Sequence, residues 1–156
     1  MRRVYIETSV WALVAPGQSP ALQEPTLEFL DECVARRHQP YISAVVVDEL
    51  RQADTGVQEF TVAKLGAVDP HVLALTPASE ALAERFLKEG VLPPRRLDDA
   101  RHVACALVHE IDLLVSWNYR HIANVRKAEA FNAIATLAGL RGGLEIHTPL
   151  EVLEWK

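Results

Sequence analysis

The stretch from Leu97 to Asn124, LDDARHVACALVHEIDLLVSWNYRHIAN, constrains the fold more than any other part of the chain. Ala100, Val103, Ala104, Leu107 and Val108 recur at helical spacing and mark one apolar face. Asp112–Trp117 then reads as a buried strand, and Asn118 opens a polar turn. Pro93 and Pro94 block any continuation from upstream, so the helix starts afresh near Asp98. A helix running straight into an apolar strand belongs to an α/β sheet, where polar groups collect at the carboxyl ends of the strands.

The rest of the chain repeats the alternation. Val4–Ile6 is a first strand ending in Glu7-Thr8-Ser9. A Pro- and Gly-bearing loop from Pro16 to Pro25 leads into a helix marked by Leu27, Leu30 and Val34. Tyr41–Ile42 is a short second strand, and Ser43 is placed to cap a helix over Ala44–Ala53. The spacing predicts further helices over Thr55–Gly66 and Ala78–Glu89, separated by a third strand over Val72–Thr76. Ile122 to Leu140 reads as mostly helical, Leu144–His147 as a fifth strand and Pro149–Trp155 as a short terminal helix. Strands separated by a dozen or more residues imply a parallel sheet covered on both faces. With no internal repeat, low-complexity tract or linker, residues 1–156 make a single α/β domain.

At 49% apolar and 24% charged residues, the composition is that of a globular protein rather than a disordered one. The opening MRRVYIETSVWALVA imitates an export signal, but Glu7, Thr8 and Ser9 interrupt its apolar run. No run approaches the roughly eighteen apolar residues that would cross a bilayer. The two cysteines, Cys33 and Cys105, lie inside apolar helical patterns and read as reduced core residues. These features point to the cytoplasm. A net charge of −5 argues mildly against a nucleic-acid partner, unless clustered carboxylates hold divalent cations and reverse the local sign.

Glu7 closes the first strand and so emerges at the carboxyl edge, with the Thr8 and Ser9 hydroxyls beside it. Asp48 and Glu49 lie about 100° apart around one helix, so only one faces any given point. The same holds for Asp98 and Asp99. Asp98 is assigned to the helix cap and Asp99 to the site, the reverse assignment being the alternative. Asp112 begins the fourth strand, whereas Asn118 follows its end. Six residues of strand span about 20 Å, so Asp112 is a surface residue and Asn118 the fourth candidate. Trp117, Tyr119 and His121 beside it are candidates for stacking on bases, with packing as the simpler reading.

Other chemistries fit poorly. His102 and His109 share a helix, but zinc needs more convergent His or Cys ligands. Ser9 lacks a GxSxG elbow, and neither a Walker loop nor a dinucleotide fingerprint occurs. A phosphotransfer domain needs its acidic pair early in the chain, whereas this pair stands at 98–99.

Four pieces, YIETSV, YISAVVVDEL, LDDARHVACALVHEIDLLVSWN and RHIAN, make the chain resemble the PIN-domain family, and within it the VapC-like toxin ribonucleases. The resemblance runs from Tyr5 to about Asn124. It implies a three-layer sandwich with a central parallel five-stranded sheet flanked by helices. The family's acidic positions fall on Glu7, Glu49 and Asp99, and a fourth, commonly acidic, falls on Asn118. Glu7 and Asn118 depart from the usual aspartate-rich set.

What the resemblance implies is Mg2+- or Mn2+-dependent endonucleolytic hydrolysis of RNA. Glu7, Glu49 and Asp99 would be the metal ligands, joined by Asn118 in the catalytic set. Thr8, Ser9, Trp117 and His121 would be substrate or water contacts. It further implies a small antitoxin partner and a homodimer. The alternative is a degenerate PIN scaffold that binds RNA or a protein without cleaving.

Overall fold

The computed structural model describes residues 1–154 of the chain. Five short strands form one all-parallel sheet: β1 (Arg3–Ile6), β2 (Gln39–Ser43), β3 (His71–Leu73), β4 (Leu113–Val115) and β5 (Glu145–His147). Their order is β3-β2-β1-β4-β5, with Tyr5 beside both Tyr41 and Leu114. The chain moves outward from β1 to β3, then crosses back to β4 on the other side of β1. The carboxyl ends of β1 and β4 therefore flank the reversal point, where open α/β sheets place their ligands.

The helices are α1 (Thr8–Trp11), α2 (Pro20–Val34), α3 (Ala44–Arg51), α4 (Thr55–Val68), α5 (Pro77–Lys88), α6 (Leu97–Val108), α7 (Val125–Leu137) and α8 (Pro149–Glu154). A single 3-10 turn, Pro94–Arg96, feeds α6. Two helix groups cover the sheet: α5 packs with α6 and α7, and α2 packs with α8 and α4. The central strands β1 and β4 read as continuous apolar runs because both of their faces are covered. Val4, Tyr5, Ile6, Leu113, Leu114 and Val115 are fully buried. Within the first group the contact is aromatic: Phe86 on α5 meets Phe131 on α7 edge-on, with centroids 4.9 Å apart.

The α/β order and all five strands match the sequence reading, and the differences are at element ends. α2 begins at Pro20, inside the stretch expected to be loop, and carries Pro25 within it. Pro20 stands in the first turn, where its missing N–H costs nothing, so the helix tolerates a proline-rich start. β3 stops at Leu73, because Thr76 leaves the sheet to cap α5 in a reciprocal pair with Ser79. The helix expected from Ile122 starts at Val125, where the Asn124 side chain accepts from Lys127 N–H. One turn, α1, has no counterpart in the sequence pattern; it forms because Glu7 caps it. Trp155, expected to end α8, lies outside the described residues.

Candidate functional site

Each strand in the middle of the sheet ends by handing the chain to a capped helix or turn, and these hand-overs build the site. After β1, Glu7 takes an extended conformation and accepts from Ser9 N–H at 3.1 Å, starting α1. After β2, Ser43 accepts from Val45 N–H at 3.2 Å, starting α3. After β4, Ser116 accepts from Asn118 N–H at 2.9 Å, and Asn118 Oδ1 accepts from His121 N–H at 3.1 Å. A carboxylate or hydroxyl at a strand end thus both terminates the strand and stands at the carboxyl edge.

Glu7 is only 4% exposed. Its Oε1 accepts from the Ser9 hydroxyl at 2.6 Å and from the Ser116 hydroxyl at 2.5 Å. Glu49, from the inner side of α3, presents Oε1 to the Thr8 hydroxyl and to His102 Nε2, both at 2.6 Å. Its neighbour Asp48 points to solvent, toward Arg51. On α6, Asp99 and His102 stand three residues apart and share the inward face. Asp98 points outward and pairs with Arg101, which also holds Glu80.

His102 is fully buried and is the hub of the cluster. Its Nε2 lies 2.6 Å from Glu49 and 3.8 Å from Glu7; its Nδ1 lies 2.7 Å from Tyr5 Oη, itself 2.7 Å from Ser43 Oγ. Burial pulls the imidazole down, but the Glu49 hydrogen bond and the charges of Glu7, Glu49 and Asp99 lift it above its ordinary value. In its protonated form both ring nitrogens donate, Nε2 to Glu49 and Nδ1 to Tyr5 Oη, and the Tyr5 proton goes on to Ser43. Burial also pushes the Tyr5 phenol well up, so it stays neutral. Glu49 feels burial upward, yet the His102 and Thr8 hydrogen bonds and the His102 charge hold its carboxyl below the usual range.

Asp99 has the opposite balance. Burial and then the Glu7 charge raise it, against weaker help from His102, Asn118 and Arg96. Its Oδ2 is buried and has no hydrogen-bond partner. A buried carboxylate oxygen left without a donor is costly, and a bound cation would satisfy it. Glu7, Glu49 and His102 each offer a ligand atom within 4.8 Å of one another, in the same cluster. An oxygen-rich donor set of this kind fits a hard divalent cation.

Several roles expected from the sequence change in the folded chain. The cap of α6 is Arg96, without a side-chain hydrogen bond, rather than Asp98; the helix begins two residues earlier than a cap at Asp98 requires, and both aspartates sit in its first turn. Thr8 and Ser9 turn inward onto Glu49 and Glu7, and Ser9 Oγ also accepts from Trp117 N–H at 2.8 Å. Their hydroxyls are bonded to the Glu49 and Glu7 carboxylates. Trp117 is 9% exposed, with its indole N–H donated to Thr26 Oγ1 at 2.7 Å, and His121 is buried. Neither ring offers a face for a base; Tyr119, 55% exposed, does. Asn118 uses its carbonyl oxygen on the turn, accepting from His121 N–H, and its side chain has a small lowering effect on the Asp99 carboxyl. Asp112 accepts from Arg3 N–H at the far, amino edge.

His102, Tyr5 and Ser116 belong to the cluster, although sequence reasoning does not place them there. His102 carries a signal, its three-residue spacing from Asp99, which a search for zinc ligands passes over. Ser116 has none beyond its place at a strand end.

No family model matches the chain, and no curated protein does. Solved structures do. VapBC2 from Rickettsia felis, bound to a DNA fragment from their promoter, is 15% identical over 93% of this chain and 98% of that one, with a TM-score of 0.52. VapBC-5 from Mycobacterium tuberculosis, a member of the VapBC family of toxin–antitoxin systems, is 18% identical over 95% and 99%, with a TM-score of 0.51. The chain has a PIN-like fold. At these identities the likeness is one of architecture, and the chemistry of this PIN-like chain has to be argued from its own carboxylates. Among the described residues, no helix is long and apolar enough to cross a membrane.

Proposed function

We propose that the chain is a Mg2+- or Mn2+-dependent endoribonuclease, the cytoplasmic toxin of a type II toxin–antitoxin pair. The observation that carries the reading is the unpartnered buried Oδ2 of Asp99, whose carboxyl feels the charges of Glu7 and His102, two members of the convergent Glu7, Glu49 and His102 group. Glu7, Glu49 and Asp99 would hold the ion. A divalent ion there supplies Lewis-acid chemistry, activating water and neutralising phosphate charge. The chain's own residues supply positioning: Ser9 and Ser116 fix Glu7, and Thr8 and His102 fix Glu49. Three carboxylates carry −3, partly offset by His102 where it is protonated, a charge that would hold one divalent ion. The buried shell around Glu7 and His102 keeps bulk water away from the inner side of the cluster.

The antitoxin reading is supported by apolar surface on α4. Val62 is 66% exposed, and Val62 and Leu65 line a groove with Val47 and Leu50 of α3. Contiguous exposed apolar surface marks a protein partner, which we take to be a small antitoxin; a homodimer is the expected assembly of the toxin itself.

A second reading has its own support. Glu7 already accepts three hydrogen bonds and Asn118 Oδ1 is spent on its turn, which leaves few open ligand positions. In that version the chain is a PIN scaffold that binds RNA or a protein without cleaving. Incubation with defined RNAs in Mn2+, native protein beside Asp99→Asn, separates the two. Cleavage by the native protein alone supports the nuclease; equal binding by both without cleavage supports the scaffold.

A further inference from the structure

Most arginines of this chain have partners. Arg36, Arg37, Arg51, Arg85, Arg101 and Arg141 each pair with a carboxylate. Arg95, Arg96, Arg120 and Arg126 are exposed and, among the described residues, form neither an ion pair nor a side-chain hydrogen bond. The first three stand in the segments that adjoin Asp99 and Asn118. Arg95 and Arg96 occupy the 3-10 turn that leads into Asp98 and Asp99, and Arg120 lies in the turn after Asn118. One tie closes these segments on each other: Lys127 Nζ at the start of α7 donates to the Val91 carbonyl. The buried His121 ring feels Arg96, Arg120, Lys127 and Arg95 together, so their charges converge on one spot. In a chain of net charge −5, this is a local reversal of sign beside an acidic pocket.

We propose that Arg95, Arg96 and Arg120 form a phosphate-binding rim that holds the backbone of single-stranded RNA next to Glu7, Glu49 and Asp99. The proposal rests on the nuclease reading for the role of the pocket, and it adds where the strand runs. Unpaired guanidiniums bind phosphate oxygens through parallel N–H donors. Tyr119, exposed and adjacent to Arg120, offers the ring face on which a base stacks. An acidic peptide would suit the arginines equally but would have no use for the ring.

The test is binding of a short labelled single-stranded RNA in EDTA, followed by fluorescence anisotropy over a salt series. Three phosphate contacts contribute about 2 to the slope of log K against log salt, and roughly 100-fold in affinity at 0.1 M salt. The variant Arg95→Gln/Arg96→Gln/Arg120→Gln is expected to lose both. Arg36→Gln/Arg37→Gln/Arg141→Gln, which removes the same charge from the amino edge of the sheet, is expected to bind as the native protein does. Equal losses in the two variants, an unchanged slope in the first, or no RNA binding by the native protein would overturn the rim. Tighter binding of an oligoglutamate peptide than of RNA at the same salt would overturn it in favour of a protein partner. Rim-dependent binding without cleavage in Mn2+ would leave the rim standing and remove the nuclease reading.

Discussion

Asp99→Asn should make the metal-free protein more stable while removing its response to divalent cations. Asp99 Oδ2 is buried without a donor, and the carboxyl is lifted by burial and by the Glu7 charge. An unsatisfied buried acceptor costs about 1–3 kcal/mol, and because Asp99 is half-buried the lower end applies, about 1 kcal/mol. In a domain of this size that is a rise in Tm of about 2–4 °C. Mn2+ at a hundred times its Kd adds about 2.7 kcal/mol to the native protein, or about 5–11 °C, and adds little to a variant short of one ligand. The order of the two melting curves should therefore invert between EDTA and Mn2+. The pH dependence follows the same logic. An acid whose folded pKa is raised weakens the fold above that value, and the cost vanishes as pH falls through it toward 3.8. The advantage of Asp99→Asn in EDTA should accordingly shrink on acidification. Differential scanning fluorimetry across pH, with and without Mn2+, measures all of this. A variant that melts below native in EDTA, or gains as much from Mn2+, would falsify the assignment of Asp99 as the unsatisfied ligand.

Three further outcomes can be checked. Ser116→Ala removes a 2.5 Å hydrogen bond to the buried Glu7 carboxylate, and urea unfolding should show a loss of about 1.5–3 kcal/mol; a loss under about 0.5 kcal/mol, the ordinary effect of a surface change, would mean that Ser9 alone satisfies Glu7. His102 has its value raised by its carboxylate neighbours, so its contribution is fully present below 6.5 and lost as pH rises through the folded value. Urea midpoints of the metal-free protein should decline over that window and His102→Gln should flatten the decline; an identical decline in both proteins would place its source elsewhere. Burial pushes the Cys33 and Cys105 thiols up to about 12, so a thiol reagent should label neither until the chain unfolds, and rapid labelling of the native protein would contradict their place in the core.

Local signals carry the fold a long way. The apolar face of α6, the β-branched run before Glu7 and the capping serine at position 43 are each settled within a few residues, because helix periodicity and capping are short-range effects. They are enough to order five strands and their helices, and to bring Glu7 to the carboxyl edge. Element ends read less well. Pro25 argues for a loop and loses to the packing of α2, whose Phe29, Leu30 and Cys33 are buried on one side.

Residue pattern alone thus settles the alternation of strands and helices, the parallel sheet and the set of acidic residues available at its edge. Which of them face one another is a matter of packing. The hydroxyl that holds Glu7 comes from 109 residues away, and the imidazole that holds Glu49 from 53. Whether Asp98 or Asp99 turns inward depends on Arg101 and Glu80 drawing the first outward. Trp117 becomes core because Thr26, on a helix 91 residues earlier, accepts its indole proton. Periodicity tells each residue which side of its own element it occupies; the partner across the gap, and with it charge state and accessibility, exists only once the elements are packed.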